Sequence, residues 1–411
     1  MSPTAVLRCG SCGAEQALGP AFSACARCGG PLEVAYDLRA LAGLDGRAWI
    51  AGRPHTIWGY RELLPSIAGT EPVTLGEGDT PLLPAHSLSA RLGRRIFWKN
   101  EACNPTWSHK DRFHSVAVTM GRAFGFRTVA ATSTGNHGVS AAAYAAAAGM
   151  RSLILYPPET PTAFLHLTGI YGGQAVVTGW QARAVLLEEA VARHGLYRVD
   201  GRNPFGLEGY KTMAWELVRD LGGRAPDVVA VPVGSGRLAA GVWKGFRELG
   251  ELGWIDRLPK IVACQPAAAD VLTQPWRHGD PAPEVKPDAY SVALSTRERT
   301  CDPRVLDLVR QSGGEVAAVS ERRLLAAVRA LGSEGLAVEP ASAVAPAAIQ
   351  ILCEAGSIGP GSVAVAIITS SVTKSPDFMP ELSQRSPWRV GVTPADLEEL
   401  LEASDLIPPP A

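Results

Sequence analysis

At 411 residues the chain is long enough for two or more domains, each with its own core. A hydrophobic fraction of 46% with 19% charged residues excludes wholesale disorder. Lysine plus arginine (39) nearly cancels aspartate plus glutamate (40), so no global field draws the chain to nucleic acid or anionic lipid, and small molecules are the expected partners.

The opening MSPTAVLRCG lacks the apolar run of a start-transfer peptide, and no apolar stretch of about 18 residues suited to span a bilayer follows it. A cytoplasmic location without a membrane partner is the expectation. Four of the eight cysteines crowd the first segment: Cys9 and Cys12 in CGSC, Cys25 and Cys28 in CARC, with twelve residues between the pairs and a glycine after each. Two such knuckles present four thiolates tetrahedrally, the pattern of a structural zinc ribbon over residues 1–36. A redox dithiol needs only one CxxC, set between a strand and a helix, and this segment lacks that setting. With all four positions filled by protein, the zinc would stabilise a small domain rather than catalyse. Cys103, Cys264, Cys301 and Cys353 are scattered and read as buried thiols, with Cys103 either packed or lining a pocket near Lys110.

From about residue 36 strand and helix signals alternate. RRIFWKNE, TVAATST, SLILYPP, AVVTG, DVVAVPVG, KIVACQP and SVAVAIITS read as short apolar strands. SVAVTMGRAF, VSAAAYAAAAG, WQARAVLLEEAVARHG, GYKTMAWELVRDLG and LLAAVRALGSEG read as helices between them. The pattern predicts an α/β fold of two open, mainly parallel sheets covered by helices, preceded by the ribbon. The expected division is a large domain over 37–112 and 205–395, a small one over 113–204, and a tail over 396–411 that ends in IPPPA.

In such sheets ligands collect where strand ends open into loops, and four segments there carry chemistry. NPTWSHKDR places Lys110 between a proline-led turn and a helix. A lysine near a helix start and partly desolvated has a lowered pKa, and its neutral amine can form a Schiff base with an aldehyde; an ordinary surface lysine in a KDR cluster is the alternative. STGNHG sets Ser133, Thr134, Gly135, Asn136 and His137 at a helix start, where amides hold an anionic group and Asn136 can donate to a phenolate, or where the cluster only starts the helix. GSGRL offers Gly234, Ser235, Gly236, Arg237 and Leu238 as a phosphate cradle or a structural turn. Thr369, Ser370 and Ser371 end a strand, where a hydroxyl can pair with a neutral pyridine nitrogen.

Together with LGEGDTPLL, IWGYRELLP, NPFGLEGYKT, PVGSG and EGLAVEPASA, these motifs run along most of the chain in the order of the threonine synthase family of fold type II pyridoxal phosphate enzymes, which the chain resembles. The resemblance implies that Lys110 carries the cofactor as a Schiff base and shuttles the proton. It implies further that Asn136 bonds the cofactor's 3-hydroxyl, that Gly234 to Leu238 surround its phosphate and that Thr369 faces its ring nitrogen. Glu339 is given a supporting role, and a homodimer is expected. The implied activity is β- or γ-elimination or replacement on an amino acid, and a hydroxyl opposite the ring nitrogen suits rapid loss of a leaving group.

The chain departs from that family where phosphohomoserine would be recognised. An arginine of the family's NPFGLEG segment is Gly206 here, and its Asn and Ser a few residues earlier are Asp200 and Gly201. A distal phosphate needs charged or bidentate partners, and glycine offers neither. GNAGN becomes GSGRL, GHGLKD becomes SSVTKS with only Lys374 kept, and Trp107 and His109 replace glycine and phenylalanine, which reshapes the pocket. Arg297, Arg299, Arg202 and Arg237 are replacements for the lost charge, or solvated loop charges. The reading is an enzyme acting on a different amino acid with an anionic side chain. Its alternatives are a true threonine synthase converting O-phosphohomoserine to threonine and phosphate, family neighbours of the cysteate synthase or dehydratase kind, and a catalytically inactive zinc-ribbon binding protein.

Overall fold

The computed structural model describes residues 3–20, 24–279, 293, 301–302, 304–384 and 398. The loop carrying Arg297 and Arg299, and the expected tail apart from residue 398, lie outside the described residues. Three sheets organise the chain. The first is an antiparallel ribbon, order β2-β1-β3, of β1 (Ala5–Cys9), β2 (Glu15–Gln16) and β3 (Leu32–Tyr36). It docks on the body through Leu7, Leu32 and Val34, which belong to the same apolar cluster as Leu38, Phe246 and Leu308.

Six strands form the main sheet: β4 (Leu82–Pro84), β5 (Arg95–Asn100), β10 (Val228–Pro232), β11 (Lys260–Pro266), β12 (Glu315–Val319) and β13 (Val363–Ile368). The order is β12-β11-β10-β13-β5-β4, parallel except for the antiparallel edge strand β4. Four more strands make a smaller parallel sheet, β8-β7-β6-β9, from β6 (Thr128–Thr132), β7 (Arg151–Tyr156), β8 (Gln174–Val177) and β9 (Tyr197–Arg198). Alternate residues of β10 go to opposite cores: Val229 and Val231 to one, Val228 and Ala230 to the other. A strand covered on both faces reads as a continuous apolar run, which is why VVAVP shows no polar alternation.

The helices that matter for the site are α1 (Lys110–Ala123), α2 (Asn136–Ala147), α3 (Ala182–His194), α4 (Pro204–Asp220), α5 (Arg237–Glu251), α6 (Arg304–Gln311), α7 (Glu321–Ser333) and α8 (Pro340–Glu354). α4 begins five residues before the predicted GYKTMAW segment because Asn203 caps it, accepting from the amides of Phe205 and Gly206, with Pro204 at the first helical position. α4 touches α1 and α5 at backbone distance. A Cβ on Gly209 would sit 1.8 Å from the Arg112 carbonyl oxygen, and one on Gly245 would sit 2.3 Å from the Lys211 carbonyl oxygen. Among the described residues no helix is long and apolar enough to cross a membrane.

Candidate active site

The turn into α1 is built by strand-end contacts. Ser108 bridges Ser370, the His109 amide donates to the Thr369 carbonyl (2.9 Å), and the Ser371 amide donates to the Trp107 carbonyl (3.1 Å). Trp107 takes a left-handed conformation (φ 59°), a cost accepted here because Ser108 on one side is fixed to the segment after β13 and Thr106 on the other is held by Asp111. Lys110 is therefore the first residue of α1, half-buried, with its amide donating to Ser108 Oγ (3.3 Å) and its Nζ 5.9 Å from the Tyr210 ring centre.

Lys110, Asn136, Gly234, Ser235, Gly236, Arg237, Leu238 and Thr369 all line one cavity of about 270 Å³, so the four separate strand-end motifs converge. Gly236 (φ 89°) turns the chain into α5. The amides of Gly234 to Leu238 find no hydrogen-bond acceptor among the described residues. Such a row at a helix start suits a phosphate. Asn136, 6% exposed, points its Nδ2 at both oxygens of Glu339 (3.1 and 2.9 Å) and leaves its Oδ1 buried without a partner among the described residues. Ser370 Oγ also donates to Glu339 (2.6 Å). Burial raises the Glu339 pKa against the pull of Lys374, and burial lowers Lys374 to about 8. Ser342 Oγ accepts from the Ser370 amide (2.9 Å) and donates to the Ser370 carbonyl (3.0 Å). Thr369 Oγ1 lies 2.9 Å from Ser342 Oγ, and either hydroxyl can donate across that contact; when Ser342 turns its proton to Thr369, the Thr369 hydroxyl is left to donate into the cavity.

Residues 73–370 match the family described as "Pyridoxal-phosphate dependent enzyme". The threonine synthase of Methanosarcina acetivorans is 31% identical over 404 residues, covering 97% of this chain and 98% of that one. That of Methanocaldococcus jannaschii is 34% identical over 377 residues, 90% of this chain and 93% of that one. The chain belongs to the pyridoxal-phosphate dependent enzymes. It is a threonine synthase-like member and a pyridoxal phosphate-dependent lyase, as the resemblance implied. Among solved structures, maize serine racemase aligns with a TM-score of 0.64 at 21% identity, covering 71% of this chain and 88% of that one, a likeness of fold.

The cavity fits this family's cofactor on two counts: a run of unbonded amides for an anionic group, and a buried orphan amide oxygen beside the lysine for a polar ring substituent. Two histidines flank the lysine. His137 Nε2 lies 2.8 Å from the Val199 carbonyl, which only accepts, so Nε2 carries the proton. A neutral His137 then accepts at Nδ1 from His114 Nε2 (3.2 Å), which leaves His114 Nδ1 buried and without a partner among the described residues. Burial and the nearby Lys110 hold both rings neutral, with the His137 pKa depressed to about 4 and that of His114 well below its usual value. His109 likewise stays neutral, with burial outweighing its bond to Thr369.

Beneath the lysine lies a charge network that the sequence did not reveal. Arg112, fully buried, donates to Glu101 (2.7 and 2.8 Å) and to Glu216 (2.5 and 2.7 Å), and Lys99 pairs with Glu216 (2.7 Å). Asp111 accepts from Thr106 and Ser140, and burial raises its pKa to about 6. These bonds fix both ends of the first turn of α1.

Several expectations about the pocket are corrected. Trp107 is 41% exposed and does not line the cavity; of the two altered neighbours only His109 does. Cys103 is exposed rather than buried and stands outside the cavity, its sulfur accepting from Asn100 Nδ2 (3.4 Å). Gly206 is not on the wall either: a Cβ there would lie 2.4 Å from the Phe113 ring, and it is Phe113 that faces the cavity. Asp200 lines the cavity but is held by Arg198 (2.7 Å), and Arg202 pairs with Glu188 (3.0 Å).

The ribbon cysteines form a separate cluster with all four sulfurs within 4.8 Å of one another. The Cys9–Cys28 and Cys12–Cys25 sulfur distances are 3.5 and 3.9 Å. Four thiolates on a tetrahedral zinc at about 2.3 Å would stand about 3.8 Å apart. The Ser11 and Arg27 amides point at Cys9 and Cys25 (3.4 Å each), and a Cβ on Gly30 would lie 2.6 Å from Ser11 Oγ, so the knuckle closes only with glycine there.

Proposed function

We propose that this enzyme eliminates or replaces a group at Cβ or Cγ of an amino acid with an anionic side chain. In this reading Lys110 binds the cofactor and then moves the substrate's Cα proton with its Nζ. The main-chain amides of Gly234 to Leu238 hold the cofactor's phosphate and leave the Arg237 guanidinium to the substrate, Thr369 faces the ring nitrogen, and Asn136, with its Nδ2 on Glu339, accepts from the 3-hydroxyl through Oδ1 rather than donating to a phenolate. Pyridoxal phosphate, when bound, supplies the electron sink that acidifies the Cα proton. Tyr210 and Phe113 line the cavity with the lysine, the Tyr210 ring centre 5.9 Å from Nζ. Glu339 positions Asn136, and the network under Arg112 keeps α1's first turn rigid.

The observation that carries the substrate class is Arg237. Among the described cavity residues, Arg202 is already paired with Glu188, while Arg237 has its carboxylate, Asp302, no closer than 3.9 Å. Its charge is thus available to an anion. Steady-state assays across O-phosphoserine, cysteate and O-phosphohomoserine, with their neutral counterparts, test the assignment; a neutral amino acid turned over fastest would refute it. Conversion of O-phosphohomoserine to threonine is the second reading, favoured by full-length similarity to proteins named threonine synthase.

For the ribbon we propose a structural zinc on Cys9, Cys12, Cys25 and Cys28, supported by the sulfur spacing. The proposed assembly is a homodimer with 1–36 as ribbon, 37–112 with 205–395 as large domain and 113–204 as small domain; sedimentation and limited proteolysis test it.

A further inference from the structure

We infer that the ribbon sets the anion affinity of the cavity through Glu33, Arg304 and Asp302, which act as positioning residues for Arg237. The inference rests on the reading of Arg237 as an anion-binding group. Its geometry begins at the loop Gly234–Arg237, which is propped from behind by the chain leading into α6. The Asp302 amide donates to the Ser235 carbonyl (3.2 Å), and a Cβ on Gly236 would lie 2.3 Å from Val305 Cγ2.

Asp302 is shared unequally between two arginines. Arg304 takes it with Nε on Oδ1 (2.9 Å) and Nη2 on Oδ2 (2.6 Å), whereas Arg237 Nη1 stays at 3.9 Å. The remaining Arg304 nitrogen, Nη1, is anchored by Glu33 on β3, next to Gly10 of the first knuckle. Three groups in a row therefore connect the ribbon to the cavity wall.

The electrostatic consequence follows from that order. A carboxylate already engaged by two nitrogens of one arginine attracts a second arginine weakly. Arg304 thus occupies Asp302 and leaves the Arg237 charge for a ligand. Without Arg304, Asp302 (14% exposed on its side chain) would draw Arg237 into a tight pair and silence it. Glu33 keeps the Arg304 fork turned towards Asp302, so the ribbon contributes to the site without touching it.

The ligand anion is either the cofactor's phosphate or a substrate's acidic group, and two binding measurements separate them. In the first, cofactor-free protein is titrated with pyridoxal 5'-phosphate and with pyridoxal. In the second, the holoenzyme is titrated with O-phospho-L-serine and with L-serine, read from the cofactor's absorbance. Arg304→Gln is expected to weaken the phosphorylated member of at least one pair about tenfold while changing its unphosphorylated counterpart little. Adding Asp302→Asn in the same chain should restore affinity to within about threefold of wild type, because the competing carboxylate is gone. Glu33→Gln should give a smaller loss of the same selectivity.

Equal losses for phosphorylated and unphosphorylated ligands, or no restoration by Asp302→Asn, would overturn the relay. If Arg304→Gln does not fold, Asp302→Asn alone decides: it must bind the phosphorylated ligand no more weakly than wild type. The cofactor pair requires no turnover. A holoenzyme silent towards every amino acid would therefore sink the proposed activity while leaving this inference to be judged on the first titration.

Discussion

Replacing Arg112 by methionine keeps most of the side-chain volume and removes the one guanidinium that serves two buried carboxylates. Glu101 and Glu216 are both at most 1% exposed on their side chains, and Arg112 gives them four hydrogen bonds of 2.5 to 2.8 Å. In Arg112→Met, Lys99 would be left facing Glu216 while Glu101 keeps only Thr80 and Asn104. Breaking a buried pair in this way costs about 3–5 kcal/mol. At about 2.1 cal/mol/K of unfolding entropy per residue, a cooperatively unfolding chain of 411 residues would lose about 4–6 °C of thermal midpoint. The sign of the pH dependence is fixed by Glu216, whose pKa is lowered by Arg112 and Lys99 in spite of burial. A depressed carboxylate contributes stability above its unfolded value of about 4.5, and that contribution is lost on acidification. In the wild type that loss lies below pH 4.5; in Arg112→Met the guanidinium that outweighs burial is gone, burial pushes Glu216 above its unfolded value, and the deficit is therefore largest near pH 8 and narrows towards pH 4.5, as a proton replaces the missing charge. Calorimetry at pH 5, 6.5 and 8 measures it. A deficit below 1 °C at pH 8, or one that does not shrink in acid, would refute the argument.

Lys110→Ala is expected to lose the absorbance band that borohydride removes in the wild type, while still binding the four-cysteine metal; a persistent reducible band would move the Schiff base elsewhere. Gly206→Ala forces a methyl into the Phe113 ring and should lower stability by about 1–3 kcal/mol, with Phe113→Leu recovering much of it in a double-mutant denaturation cycle. His114 and His137 remain neutral in the fold, so their labelled ring signals should not titrate between pH 8 and 5; since the unfolded rings protonate near 6.5, stability should fall as pH drops from there towards 4. An inflection of His137 near 6.5 would contradict the hydrogen-bond assignment. Cys12→Ser should reduce bound zinc, counted by atomic emission, to well below one per chain and loosen residues 1–36 to protease.

What could be read from the residues alone follows the range of the interactions. Each cavity motif lies within a single strand-to-helix turn, so SHKDR, STGNHG and GSGRL showed themselves as local patterns, and β5, β6, β7, β10, β11 and β13 stood out as apolar runs. The long-range partners did not. Asn136 meets Glu339 across 203 positions and Arg112 meets Glu216 across 104, and no local periodicity encodes such pairs. α8 was invisible for a different reason. It is buried on nearly every side and carries Pro346 in its interior, so it shows neither an amphipathic stripe nor an unbroken run of helix formers. The loss of charge at position 206 was legible, but its meaning was not, since only the fold shows that Phe113 has taken the space.

The glycine seam between α1, α4 and α5 acts as a ruler. Because Gly209 and Gly245 let main chain lie on main chain, the separation between the start of α1, where Lys110 sits, and the start of α5, where Arg237 sits, is set by backbone thickness rather than by side-chain choice. Laboratory evolution of new substrate preferences should therefore leave both positions untouched and vary the walls instead, for even one methyl at either glycine would recalibrate the span on which every other contact was scaled.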